Sequence, residues 1–188
     1  MEPVLFPCVQ VKLGARKADA AIDAFLNSRP SQRWVLLGQH AVQSHMQLWT
    51  AWIQAARNEL RKAMVARSVD AEFLRYLAGT HHISEAFSRA GLQQGQSGAW
   101  VVYLPEAQAH LNELGHAHPV AAKSSVFDDE LDALLAQLNW TRDETTTTLS
   151  IEGRKQLGID VDGWPEALAE ESLLAHVLMA DDQSSSHR

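Results

Sequence analysis

Imidazole titrates unaided near neutral pH and also ligates metals, so the nine histidines are the first place to look for chemistry in this chain. His81 and His82 stand side by side in "LRYLAGTHHISEAFSRAGL", which runs from Leu74 to Leu92. Neighbours on a helix point about 100° apart, so the two rings do not face one ion; the pattern suits one ring packed and one exposed. His110, His116 and His118 lie close together in "HLNELGHAH", and a small metal-dependent hydrolase built on them is the rival reading from enzyme chemistry. It lacks H-E-x-x-H and any nearby cysteine, and further ligands would have to converge on the metal. "GQSGA", Gly95 to Ala99, imitates a nucleophile elbow without its last glycine, and Ser97 precedes a strand where the elbow needs a strand before it. No P-loop or G-x-G-x-x-G is present, and the acids Asp128 to Glu130 fit the first turn of a helix. These residues point to no catalytic group and no cofactor.

The elements that must carry these side chains follow from hydrophobic period and turn chemistry. Val4 to Leu13 reads as a strand, Ala18 to Ser28 as a helix with Ala18, Ile22, Phe25 and Leu26 on one face, and "RWVLLG" as a second strand. A long helix is expected from about Ala41 to Arg67, burying Val42, Met46, Trp49, Ile53, Ala56, Leu60 and Met64. A second should start near Asp70 and end at Gly79, and a third, capped by Thr80, should bury Ile83, Ala86, Phe87 and Ala90. Ala99 to Leu104 reads as a strand, Pro105 to Leu114 as a short helix, Asp128 to Asn139 as a leucine-faced helix and "TRDETTTTL" as an edge strand. The last helix should begin at Pro165 and turn Leu168, Leu174, Val177 and Leu178 toward something apolar. Mixed strands and helices without βαβ alternation predict a helix-rich mixed α/β (α+β) fold with a small sheet, one domain over residues 1–180 and a disordered tail over 181–188.

Composition narrows the function class. Hydrophobic residues are 46% and charged residues 21%, as in a soluble globular protein. No apolar run approaches the roughly 20 residues that cross a bilayer, and the N-terminus lacks the pattern of a secretory signal, so no membrane partner is expected. The single cysteine, Cys8, fits a reducing, cytoplasmic location. The net charge of −7 hides an asymmetry: residues 1–89 hold 11 basic against seven acidic residues, +4, whereas residues 90–188 hold five against 16, −11. A local basic face for phosphates is therefore compatible with an acidic chain.

The stretch "GQHAVQSHMQLWTAWIQAARNELRKAMVARSVDAEFLRYLAGTHHISEAFSRAGL" resembles the centre of the kinase-binding subunit of the KEOPS (EKC) complex, the PRPK-binding protein family. His45, Ala55, Arg57, Glu72, Leu74, Tyr76, Leu77, Gly79, Thr80, Ile83, Ala86 and Gly91 stand at that family's characteristic positions, and "ALAEESLLAHVLMAD" is similar to its closing helix. Residues 105–150 match nothing in it. Where the family carries Arg-Gln before the isoleucine, this chain has His81-His82, replacing a permanent charge by two titratable rings. The resemblance implies a noncatalytic subunit in threonylcarbamoyladenosine modification of tRNA, which binds the small atypical kinase subunit and the tRNA 3′ CCA end and meets the other subunits indirectly. On it, the expected RNA-binding residues are Arg57, Arg61, Lys62, Arg67, Thr80, His81 and His82, and the expected kinase-binding residues are Leu173, Leu174, Val177 and Leu178. A protein-interaction module without RNA binding remains the third reading.

Overall fold

The computed structural model describes residues 5–107, 124–143 and 146–182. Its elements, in order, are β1 (Cys8–Lys12), α1 (Ala18–Ser28), β2 (Trp34–Gly38), α2 (His45–Leu60), α3 (Val69–Leu77), α4 (Ile83–Ala90), β3 (Gly98–Tyr103), α5 (Ser124–Leu138), β4 (Thr141–Asp143), α6 (Ile151–Gln156) and α7 (Ala169–Leu178). All strand pairings are antiparallel, in the order β2-β3-β1-β4, so the short polar β4 is an edge as expected. The fold is α+β.

Alternation along the strands divides the interior in two. Ala99, Val101, Trp34 and Val11 point to one face, where α1 and the Leu131, Leu134, Leu135, Leu138 stripe of α5 cover them. Trp100, Val102, Val35 and Leu37 point to the other, under α2, α3, α4 and α7. A period of two sends neighbouring side chains to opposite sides, so both faces of β2 and β3 must be apolar for the sheet to be covered twice. Each fully buried leucine of the α5 stripe contributes roughly 2 kcal/mol of transfer free energy, which is what holds α5 to the sheet.

Several boundaries differ from those read in the sequence. The long helix is α2 alone, His45 to Leu60. Ser44 accepts from the Gln47 backbone N–H while the Gln47 side chain accepts from Ser44 N–H, a capping box that sets its start. Lys62 takes φ +54 and ends it. Met46, expected inside, is 52% exposed. The cap of α3 is Ser68, because the Asp70 carboxylate accepts from Arg29 at 2.7 Å instead. Phe87 projects outward, half exposed, leaving Ala86 and Ala90 as the buried residues of α4. Residues 105–107 are not helical, and 108–114 lie outside the described residues. The closing helix starts at Ala169 after a 3₁₀ turn, Glu166–Leu168, and α6 forms where no helix was anticipated. Asp181 and Asp182, assigned to the tail from the sequence, are among the described residues, and Asp181 is tied back to α3.

Helix α7 is clasped to the rest by His176. Its Nε2 lies 2.8 Å from the Ala78 carbonyl and 2.7 Å from that of Leu157; both partners are acceptors, so this nitrogen carries the proton and shares it. Burial lowers the pKa of His176, outweighing the two carbonyls that raise it, and burial also lowers that of His45, whose Nδ1 accepts from Phe6 N–H at 3.0 Å. Gly79, at φ +61, makes room: a Cβ there would stand 2.4 Å from His176 Nε2. Gly14 shares the left-handed backbone, φ +69, but has nothing within 4 Å of the same position.

Gly79→Ala therefore adds a steric clash to left-handed strain and should cost at least about 2 kcal/mol, lowering Tm by about 5 °C or more, whereas Gly14→Ala should cost only about 1 kcal/mol. Equal melting temperatures for the two variants would contradict the clasp. Because burial lowers the pKa of both rings in the folded state, the unfolded chain takes up protons first as pH falls through 6.5. Stability is complete above that value and declines below it; urea midpoints should drop between pH 7 and 5.5, less so in His176→Gln.

Candidate functional site

The sequence that closes α2, turns and opens α3 builds one polar cluster inside otherwise apolar packing. Glu72 and Arg75 share a helix face three residues apart, and both side chains are completely buried. Glu72 Oε1 accepts from Arg75 Nε at 3.0 Å and from Nη2, while Oε2 accepts from the Ala66 backbone N–H at 2.9 Å, fixing the α2–α3 linker. The remaining nitrogen, Arg75 Nη1, donates to the Thr80 carbonyl at 3.3 Å and to Asp181 Oδ1 at 2.9 Å. Burial pulls the Arg75 pKa down, but the hydrogen bond and charge of Glu72, with the hydrogen bond of Asp181, raise it above its ordinary value.

Tyr76 extends the cluster to the end of α2. Its hydroxyl donates to Asp181 Oδ2 at 2.7 Å and accepts from Asn58 Nδ2 at 2.7 Å. Burial first, and then the Asp181 hydrogen bond, push the Tyr76 pKa up to about 12, so the phenol stays protonated. Asn58 thus ties the last turn of α2 to Tyr76, Glu72 ties the linker through Ala66 N–H, and Arg75 ties the turn through the Thr80 carbonyl. Arg61, Lys62 and Arg67 are exposed and Arg57 is half-buried. Glu59 accepts from Arg33 through two bonds of 3.1 Å, and Glu72 from Arg75.

The residues of the turn separate by exposure. Thr80 is 1% exposed, with its hydroxyl donating to Glu85 Oε2 at 2.8 Å and accepting from His82 N–H at 3.2 Å, so its side chain shapes the turn from within and offers nothing to a ligand. His82 is exposed as the N-cap of α4. The His81 side chain is 35% exposed, and its Nδ1 is a buried atom without a hydrogen bond, 4.0 Å from Asp181 Oδ1. The two rings meet edge to face at 6.0 Å.

Helix α7 also divides. Leu173 and Val177 are each 1% exposed and finish the core against α2 and α3, so neither reaches the surface. Leu174 is half-buried, while Leu178, four residues on and on the same face, is 56% exposed beside Met179 at 47%. An outward apolar strip thus remains, narrower than the four residues expected.

Asn58, Glu72, Arg75, Tyr76 and Asp181 were absent from the expected site. The Glu72–Arg75 spacing was a legible signal; Asp181, 105 residues beyond Tyr76, left none. His110, His116 and His118 lie outside the described residues, and among the described residues no group of three His, Cys, Asp or Glu side chains could hold a metal ion. Burial pushes the Cys8 thiol up to about 12, which keeps it protonated and unreactive at neutral pH.

No curated protein matches the chain. A family model described as kinase binding protein CGI-121 matches residues 15–139, two thirds of the 188, and so takes in residues 105–139, where no likeness to the family was expected. The chain belongs to the CGI-121 family of kinase-binding proteins.

Proposed function

We propose that this protein is a noncatalytic cytoplasmic subunit of the KEOPS complex, which installs threonylcarbamoyladenosine in tRNA, and that it binds both the small atypical kinase subunit and the single-stranded 3′ CCA end of the tRNA. Membership of a kinase-binding family supports the first partner. For the second, the observation that carries the reading is the juxtaposition of the α2 end with the His81–His82 turn through Asn58, Tyr76 and Asp181. Single-stranded RNA ends are held by cations along the backbone and by flat rings against the bases. Arg57, Arg61, Lys62 and Arg67 supply the cations in this reading, and His81 and His82 supply two rings that also donate hydrogen bonds. The kinase is assigned to the outer line of α7, Leu174 and Leu178, because an apolar i, i+4 pair on a helix fits a partner groove.

Arg61→Glu with Lys62→Glu should weaken tRNA binding and lower the slope of log affinity against log salt by about 1.4, since two phosphate contacts to a single strand are lost. Full-length tRNA should bind more tightly than the same tRNA trimmed of CCA; equal affinities, or a charge-reversed protein that binds as well as the wild type, would remove the RNA site. Leu178→Arg should abolish co-elution with the kinase subunit while changing stability by less than about 0.5 kcal/mol, as exposed substitutions do. Val177→Arg should instead unfold the protein, and retention of kinase by folded Leu178→Arg would place that contact elsewhere.

A further inference from the structure

The Asp181 contacts are unequal in burial. Arg75 is completely buried and immobilised by Glu72, yet the carboxylate it reaches belongs to the stretch after α7 and has a side chain 55% exposed. Rigid donors thus end at the protein surface, and the acceptor is the part in contact with water. One carboxylate oxygen takes Arg75 Nη1 at 2.9 Å and the other takes the Tyr76 hydroxyl at 2.7 Å. Both oxygens are then engaged, and the third group aimed at this position, His81 Nδ1, is left unsatisfied at 4.0 Å.

We propose that Arg75, Tyr76 and His81 form a binding position for one phosphate of the RNA end, and that the Asp181 carboxylate occupies it as an internal substitute, so that the stretch after α7 competes with RNA. This rests on the RNA-binding reading above. A phosphodiester carries one negative charge, as Asp181 does, so the exchange leaves the balance with the Glu72–Arg75 pair unchanged. The phosphodiester offers two charged oxygens, as a carboxylate does, with its two ester oxygens as weaker further acceptors. The competition is intramolecular, and only molecules with Asp181 displaced bind, so the observed affinity is reduced by the fraction displaced. The charged groups facing the position are Glu72, Arg75, Asp181 and, when protonated, His81; the Thr80 carbonyl also accepts from Arg75 there.

The test compares Asp181→Ala with Asp182→Ala, which removes the same charge one residue away. Binding of a fluorescein-labelled RNA decamer ending in CCA is followed by anisotropy. Asp181→Ala should bind about tenfold more tightly than the wild type, as expected for release of an occupant filling nine molecules in ten, and Asp182→Ala less than about threefold. Equal gains in the two variants would reduce the effect to net charge and overturn the proposal, as would weaker binding by Asp181→Ala at an unchanged melting temperature. If Asp181→Ala melts early, Asp181→Asn takes its place in the same comparison. A second arm titrates inorganic phosphate against the ring signals of His81 by NMR. Shifts at millimolar phosphate in Asp181→Ala, absent from the wild type, support the phosphate position even if neither protein binds the decamer, in which case only the CCA reading fails. No phosphate-dependent shift in either protein overturns the position itself.

Discussion

The Glu72–Arg75 ion pair is the constraint around which the linker, the turn after α3 and the stretch after α7 are organised. Two charges with no exposure are costly to desolvate, and such a pair is tolerated only when its remaining lone pairs and protons are matched. Here they are matched by parts of the chain distant from one another: the linker through Ala66 N–H, the turn through the Thr80 carbonyl and the stretch after α7 through Asp181. Each of these must sit where it does for the pair to be satisfied. The pair therefore acts less as a source of net stability than as a specification of geometry, since an apolar substitute of equal volume would leave the linker and turn without a fixed partner.

On a chain of net charge −7, that specification holds the linker that carries the exposed Arg61, Lys62 and Arg67. Asn58 joins the last turn of α2 to Tyr76, Asp181 joins Tyr76 to Arg75, and Arg75 donates to the Thr80 carbonyl of the turn. Glu59 and Glu72, the acids closest in sequence to those cations, are directed to Arg33 and Arg75. Local order of charge, which net charge does not report, decides what approaches this end.

Much of the frame was legible because it depends on local repetition. The leucines of α5 recur at helical spacing, and β2 and β3 are apolar at every position, which suits strands covered on both faces. The start of α2 was also written locally, in the Ser44-x-x-Gln47 pattern, but a hydrophobic period continuing through Val42 obscured it. Other features depended on tertiary partners that no window of sequence contains. Phe87 fits the period of α4 and is half exposed; Thr80 looks available at a turn and is sealed by Glu85 and His82. Helix α6 is capped by Ser150, whose backbone N–H donates to Gln43 at 2.6 Å, a contact across 107 residues. Of the candidate site, the cations and the histidine turn were readable by type, whereas the cluster that joins them was not.

Helix α7 shows why the two proposed surfaces are not independent. Leu173 and Val177 hold it in the core, His176 clasps it to Ala78 beneath the histidine turn, Leu178 faces outward, and Asp181 follows three residues later on the Arg75–Tyr76 cluster. Ten residues of helix thus connect an apolar strip to the carboxylate that Arg75 and Tyr76 hold. Burial fixes the rotation of α7, and that rotation in turn determines both which leucine reaches solvent and where Asp181 arrives. A substitution that rolled the helix would move the strip and the carboxylate together, so the packing of Leu173 and Val177 is a condition for either surface to exist.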